Sequence, residues 1–337
     1  MKARIFSLLK YLFFLGIGGL FLYFVFRDQD VDKMLYDLRN AKYGYLILSM
    51  IFGYAAYVFR GLRWLLLLKT MNYKTSANHA TQAIASGYLA NAIFPRAGEI
   101  VRCTSLYKVT GIPVNKLFGT ILLERAIDLA LLVLCVTLSF LLKFSELSNF
   151  FASLGSEAEP NEASQTPLLI VALVLVISLA LYYFRNTLRK SKLFLKALSL
   201  WEGVKEGFKT AFYMKEKGLF VFHTLMIWVM YLLMTYICFF SIPETSSLTL
   251  TDGLYIMVVG GLGMVVPVQG GLGPYHAAVT LGIVSIGLSE TTGITLAVLI
   301  HSAQTIMIII TGIIAAIVLS FAKRKAAHHE SSDAPSV

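Results

Sequence analysis

Several windows of about 18 residues or more in this chain carry no charged side chain. Wound as a helix rising about 1.5 Å per residue, such a window crosses a hydrocarbon layer roughly 30 Å thick. Backbone polar groups find no water inside that layer, so the segments that cross it must satisfy their own hydrogen bonds. The windows therefore predict an all-α polytopic membrane protein. Composition agrees: 57% of the 337 residues are hydrophobic and 14% charged, against about 45–50% and about 25% in soluble domains.

Charge sorts the loops. The net charge is +10, and Lys and Arg cluster in particular connections, as the positive-inside bias and anionic headgroups require. No nucleic-acid-binding motif accompanies them, so nucleic acid is excluded as a partner. Lys2 and Arg4 precede and Lys10 lies early in the first span, Ile5–Phe26, which lacks a small-residue cleavage site and reads as a retained span with a cytoplasmic N-terminus. Further spans are expected at Tyr45–Leu68, Leu117–Leu142, Leu168–Phe184, Leu219–Phe240 and Ile294–Phe321, making about six. The loop Ser145–Pro160 holds Glu146, Glu157 and Glu159 without a basic residue and belongs outside. The segment Arg185–Lys217, with nine Lys or Arg against three Glu, belongs inside. Its apolar positions, among them Leu193, Ala197, Leu200, Trp201 and Val204, recur at helical spacing, as in an amphipathic helix lying on an anionic surface. It links two halves, about 1–142 and 167–322, of a single transmembrane domain over 1–322; residues 323–337 are expected to form a disordered cytoplasmic tail. Cys103, Cys135 and Cys238 are odd in number and widely spaced, which suits packing better than a disulfide framework.

Two segments do not fit the pattern of plain spans. Ala77–Phe94 is rich in Ala, Ser, Asn, Gln and Gly, then breaks at Pro95 and Gly98; Gly253–Leu288 is rich in glycine and breaks at V-P-V-Q-G-G-L-G-P, Val266–Pro274. Proline removes a backbone donor and glycine loosens the chain, so each is expected as a broken or re-entrant segment. Both halves then read span, span, broken segment, span, with opposite orientation, as in the inverted repeats of secondary transporters. Three full crossings through Gly253–Phe321 satisfy the charges equally well.

The ionisable residues of the apolar regions gather at the first break. Asn91–Arg102 reads N-A-I-F-P-R-A-G-E-I-V-R and carries Arg96, Glu99 and Arg102; Glu124, Arg125 and Asp128 follow just inside the next span. Charges at membrane depth are costly and mark functional sites. Glu124 and Asp128 share a helical face, and Arg125 is within reach of Asp128, so an internal ion pair is one reading. A polar cavity between the break and this helix accounts for all six residues at once, and forked guanidiniums in it suit a phosphate. Arg60 and Arg63, in the last third of the second span, read as snorkelling toward headgroups or as a phosphate contact. At the second break, Gln269, Gly270, Gly271 and Gly273 offer backbone N–H groups near a helix start, with His276, His301 and Gln304 on neighbouring helices. No metal-ligand spacing, Walker motif or dinucleotide fingerprint is present, and no cofactor is expected.

The stretches P-R-A-G-E-I-V-R (Pro95–Arg102), L-E-R-A-I-D (Leu123–Asp128) and P-V-Q-G-G-L-G (Pro267–Gly273), in this order, resemble the transmembrane region of the lysyl-phosphatidylglycerol synthases and its stand-alone, flippase-like relatives. The resemblance extends from about Ile5 to Phe321. It implies a multi-pass protein of a bacterial-type inner membrane, with both termini cytoplasmic, that moves an anionic lipid or lipid-linked substrate between leaflets. An acidic residue is expected shortly after the G-G-L-G, where this chain has Pro274 and His276. Aminoacyl transfer in the synthases belongs to a soluble domain, for which the sixteen residues after Phe321 leave no room, so that enzyme activity is not expected. The alternatives are a membrane-embedded enzyme acting on a headgroup, with Glu99 or Glu124 as base and His276 or His301 assisting, and an accessory subunit of a cell-envelope pathway. A homo-oligomer is compatible with each.

Overall fold

The structure, a computed structural model, describes residues 31–94, 97–155, 214–266 and 268–332, together with Gly16, Gly19, Leu20 and Tyr23. The expected spans Ile5–Phe26 and Leu168–Phe184 and most of the basic linker 185–217 fall outside these residues, as do Pro95, Arg96 and Pro267. Among the described residues all regular elements are helical. In chain order they are α1 (Val31–Asn40), α2 (Tyr43–Thr70), α3 (Ala77–Ile93), α4 (Gly98–Thr110), α5 (Val114–Leu142) and α6 (Phe144–Gly155). Then follow α7 (Lys217–Cys238), α8 (Leu250–Gly263), α9 (Pro274–Ser285) and α10 (Glu290–Ser332).

Four of these, α2, α5, α7 and α10, are long and apolar enough to cross a membrane. Each corresponds to an expected span, and their outward faces are apolar: Leu129, Val133 and Leu134 on α5 and Ile309, Ile313 and Ile317 on α10 are exposed. Such surfaces are stable against lipid rather than water. The protein is thus a multi-pass helical membrane protein. Helix α10 continues to Ser332, through the first part of the stretch expected as a tail, where Lys323-Arg324-Lys325-Ala326-Ala327 is made of good helix formers.

The two broken segments are helical hairpins. Ser76 caps α3 by accepting from the His79 amide, and the helix runs to the extended Phe94 before the chain turns back into α4. The arms meet at glycine: the Gly98 amide donates to Asn91 Oδ1 at 2.6 Å, and a Cβ on Gly98 would collide with the Gly87 carbonyl and the Asn91 amide. Helix α8 starts with a capping box between Thr249 and Asp252. It ends against α9, where a Cβ on Gly263 would lie 2.7 Å from the Pro274 carbonyl. Between them Gly270, Gly271 and Gly273 have φ of 58°, 75° and 90°, a region that side chains with a Cβ rarely enter. The four arms have 12 to 17 residues, and at about 1.5 Å per residue none matches the roughly 30 Å of a hydrocarbon core.

The halves interlock. Helices α2 and α7 pack on one another; the α3 arm of the first hairpin packs on α10 of the second half, and the α8 arm of the second packs on α5 of the first. Two cores result. Tyr57, Trp64, Ile84, Leu106 and Leu117 centre one around the first hairpin, and Phe239, Tyr255, Val279 and Ile300 centre the other around the second. The three cysteines are buried with free thiols. At the end bearing Lys143, its ammonium reaches Asp252 at 2.8 Å and Glu146 at 3.1 Å, joining α5, α6 and α8. The hydrogen bond to Asp252 raises the Lys143 pKa above its ordinary value.

Candidate functional site

The charged residues singled out at the first break come together, with partners from a helix that the sequence did not assign to them. Arg63 on α2 and Glu124 on α5 are each 0% exposed, with Arg63 Nε 3.6 Å from Glu124 Oε1. Arg102 on α4 approaches Glu124 Oε2 at 2.6 Å from the other side. Asp128, one turn further along α5, accepts from Arg60 at 2.7 Å and from Arg63 at 2.9 Å. Arg60 and Arg63 therefore point into the protein rather than snorkelling: positions three apart share a helix face, and that face meets α5. Arg125 pairs not with Asp128 but with Glu99, at 3.3 Å, because Asp128 is already held from α2. An isolated intrahelical pair is thus replaced by a network across three helices.

Four guanidiniums here meet three carboxylates, so one positive charge is in excess. Buried donors also outnumber acceptors. Among the described residues Arg60 Nε, Nε and Nη2 of Arg63, and Nε and Nη2 of Arg102 lack a hydrogen-bond partner, as do both carboxylate oxygens of Glu124, which meet their guanidiniums only as ion pairs. Buried donors are nearly always satisfied, so such a cluster is set for an anion or ordered water. Aromatic residues fix its geometry. The Arg102 guanidinium stacks 3.8 Å from the Trp64 ring, and the Trp64 indole donates to Thr120 at 2.7 Å. Arg60 donates to the Tyr231 hydroxyl on α7 at 3.1 Å, which bonds in turn with Tyr88 at 3.1 Å.

A small pocket beside the network is lined by Arg60, Arg102, Arg125, Glu99, Tyr88 and Asn91. Glu124 and Asp128 lie behind it as partners of the arginines rather than on its wall. On the other side of Tyr88 and Asn91 opens a cavity of about 590 Å³ beneath the second break. Gln269, Gly270, Gly271, His301 and Gln304 line it. His301 Nε2 is 2.8 Å from the Gly270 carbonyl and so donates to it. Gly273 and His276 do not line this cavity; the Gly273 amide faces His276 Nδ1 at 3.4 Å, and the His276 and His301 rings lie 4.7 Å apart. The two concavities thus have Tyr88 and Asn91 as a common wall. Among the described residues no three His, Cys, Asp or Glu side chains are grouped to hold a metal.

Arg60, Arg63, Trp64, Tyr88 and Tyr231 are members of this site that the sequence did not assign to it. One signal was present: Arg60, Arg63 and Trp64 fall on one face of an apolar helix, an arrangement that lipid alone does not favour.

Among curated proteins, a UPF0104 membrane protein of Methanocaldococcus jannaschii is 27% identical over 133 residues, which cover 39% of this chain. The aligned stretch spans 37% of that relative's length. No solved structure matches the chain. The family model of the lysylphosphatidylglycerol synthase TM region matches residues 8–312, a stretch that includes both breaks and the charged network, and the chain belongs to that family.

Proposed function

We propose that this protein is a flippase: it moves an anionic phospholipid or a lipid-linked phosphate between the leaflets of a bacterial-type inner membrane. The observation that carries this reading is the junction at Tyr88 and Asn91, which line both the arginine pocket of the first hairpin and the glycine-lined cavity of the second. A headgroup at that junction has guanidiniums on one side and the Gln269–Gly271 turn, His301 and Gln304 on the other, while its acyl chains stay in lipid. Arg60, Arg102 and Arg125, with Arg96 of the Pro95–Arg102 stretch that the sequence singles out, engage the anion. Glu99, Glu124 and Asp128 hold the guanidiniums in place.

On this reading both hairpins are re-entrant. The end carrying Lys69, Lys74 and Lys116 faces the cytoplasm and the end carrying Glu146 and Asp252 faces outward. The exchanged contacts of α3 with α10 and of α8 with α5 support an inverted repeat. Transport is favoured over headgroup chemistry because, of the two candidate bases, Glu124 sits against two guanidiniums and Glu99 is paired with Arg125.

The test is leaflet exchange of a fluorescent anionic phospholipid in vesicles reconstituted with purified protein. Wild-type protein is expected to exchange faster than empty vesicles, and Arg102→Ala to fall to their rate. Equal rates for all three overturn the proposal. Lipid masses that change during the incubation instead point to an enzyme.

A further inference from the structure

A second concavity lies apart from the charged network. It is a groove of about 550 Å³ between α3, α4 and α10, and it shares no lining residue with the arginine pocket or the cavity beneath the second break. Its volume is that of a site for a small amphipathic ligand. At Gly312 α10 packs tightly on α3, since a Cβ there would lie 2.5 Å from Leu89.

The groove is amphipathic along its length. Near the hairpin tip its walls are Ile93, Phe94 and Val101; toward the other end of α4 they become Ser105 and Lys108. Lys108 lies in the last turn of α4, and among the described residues it has no ion-pair partner. Water is a poor occupant of the apolar part, which offers it few hydrogen-bond partners. An apolar channel ending in an unpaired cation matches an acyl chain ending in an anionic headgroup.

We infer that this groove seats an anionic phospholipid, with one acyl chain along Ile93, Phe94 and Val101 and the headgroup at Lys108. The seat depends on the protein's being in a bilayer and not on its moving lipid. It lies on the face of α3 opposite the one that carries Tyr88 and Asn91, so α3 stands between an occupant and the arginine pocket.

The experiment uses the full chain in vesicles containing phosphatidylglycerol with a photoactivatable diazirine on one acyl chain. Matched vesicles contain phosphatidylcholine with the same chain. After illumination, labelled residues are mapped by mass spectrometry. Labels are expected to concentrate on α3, α4 and the 312–320 stretch of α10, well above those on the lipid-facing α5 residues Leu129 and Val133. Phosphatidylglycerol should exceed phosphatidylcholine there by about fivefold, the weight of one surface cation. Ala316→Trp fills the groove from an exposed position on α10 and should abolish the concentration. Lys108→Gln should remove the preference for phosphatidylglycerol while keeping the protein monodisperse.

Labels spread evenly over α5 and the groove, or equal labelling by the two lipids, overturn the seat. Leaflet exchange measured on the same vesicles keeps the two proposals separate. Groove labelling without exchange refutes transport and leaves the seat standing, and exchange without groove labelling does the reverse.

Discussion

Arg63 and Glu124 are both completely buried, 3.6 Å apart, and neither is the other's sole partner: Asp128 shares Arg63, and Arg102 shares Glu124. Charges withdrawn from water are tolerated when paired and costly when one partner is removed. The shared arrangement therefore ties α2, α4 and α5 into one unit around the first hairpin.

Removing either member should unfold or loosen that unit. Arg63→Ala leaves Glu124 and Asp128 each short of a guanidinium, and a loss of about 3–5 kcal/mol is expected. Thermal unfolding of the purified protein in detergent, followed by size-exclusion chromatography, reads this out. A wild-type melting temperature for Arg63→Ala would show that the network does not hold the fold.

Arg125 is expected to behave in the opposite way. Its side chain is 48% exposed and its pair with Glu99 is 3.3 Å long, so Arg125→Gln should change stability by about 0–1 kcal/mol. Because it lines the arginine pocket, the same variant should slow leaflet exchange about tenfold, the weight of a charged hydrogen bond. Loss of stability without loss of exchange would reverse the assignment.

Two glycines separate packing from helix propensity. Gly98→Ala forces a methyl group into the Gly87 carbonyl and the Asn91 amide, at a cost of about 1–3 kcal/mol. Gly119, inside α5, has nothing within 4 Å of where its Cβ would be, so Gly119→Ala should stabilise by about 0.5–1 kcal/mol. A melting temperature raised by Gly98→Ala as well as by Gly119→Ala would contradict the close approach at the first hairpin.

The clasp at the Lys143 end should be sensitive to alkali. The hydrogen bond that Lys143 donates to Asp252, with that to Glu146, raises its pKa above the ordinary 10.5. A raised pKa in the folded state means that the stabilisation is fully present below 10.5 and is lost as the pH climbs through the folded value. The difference in melting temperature between wild type and Lys143→Met should be constant from neutral pH to about 10 and shrink above it. A difference that grows with alkali would rule out the clasp.

The sequence by itself determined the class of protein and the punctuation of its chain. Runs without charge are stable in lipid as helices, and Pro95, Gly98 and the Val266–Pro274 stretch cannot continue such a helix, so four of the expected spans and the two interruptions were readable from local chemistry. So was the list of costly charges, because Glu99, Arg102, Glu124, Arg125 and Asp128 stand out against an apolar background. Tertiary structure decided which charges meet. Helical spacing places Arg125 near Asp128 and Arg60 near Arg63, but it carries no information about which neighbouring helix each face will meet. The contacts that matter bridge 68 residues between Arg60 and Asp128 and 143 between Tyr88 and Tyr231. Only the packing of α2, α5 and α7 around the first hairpin turned two apparent snorkelling arginines into buried partners, gave Arg125 to Glu99, and set Tyr88 and Asn91 in the walls of both concavities.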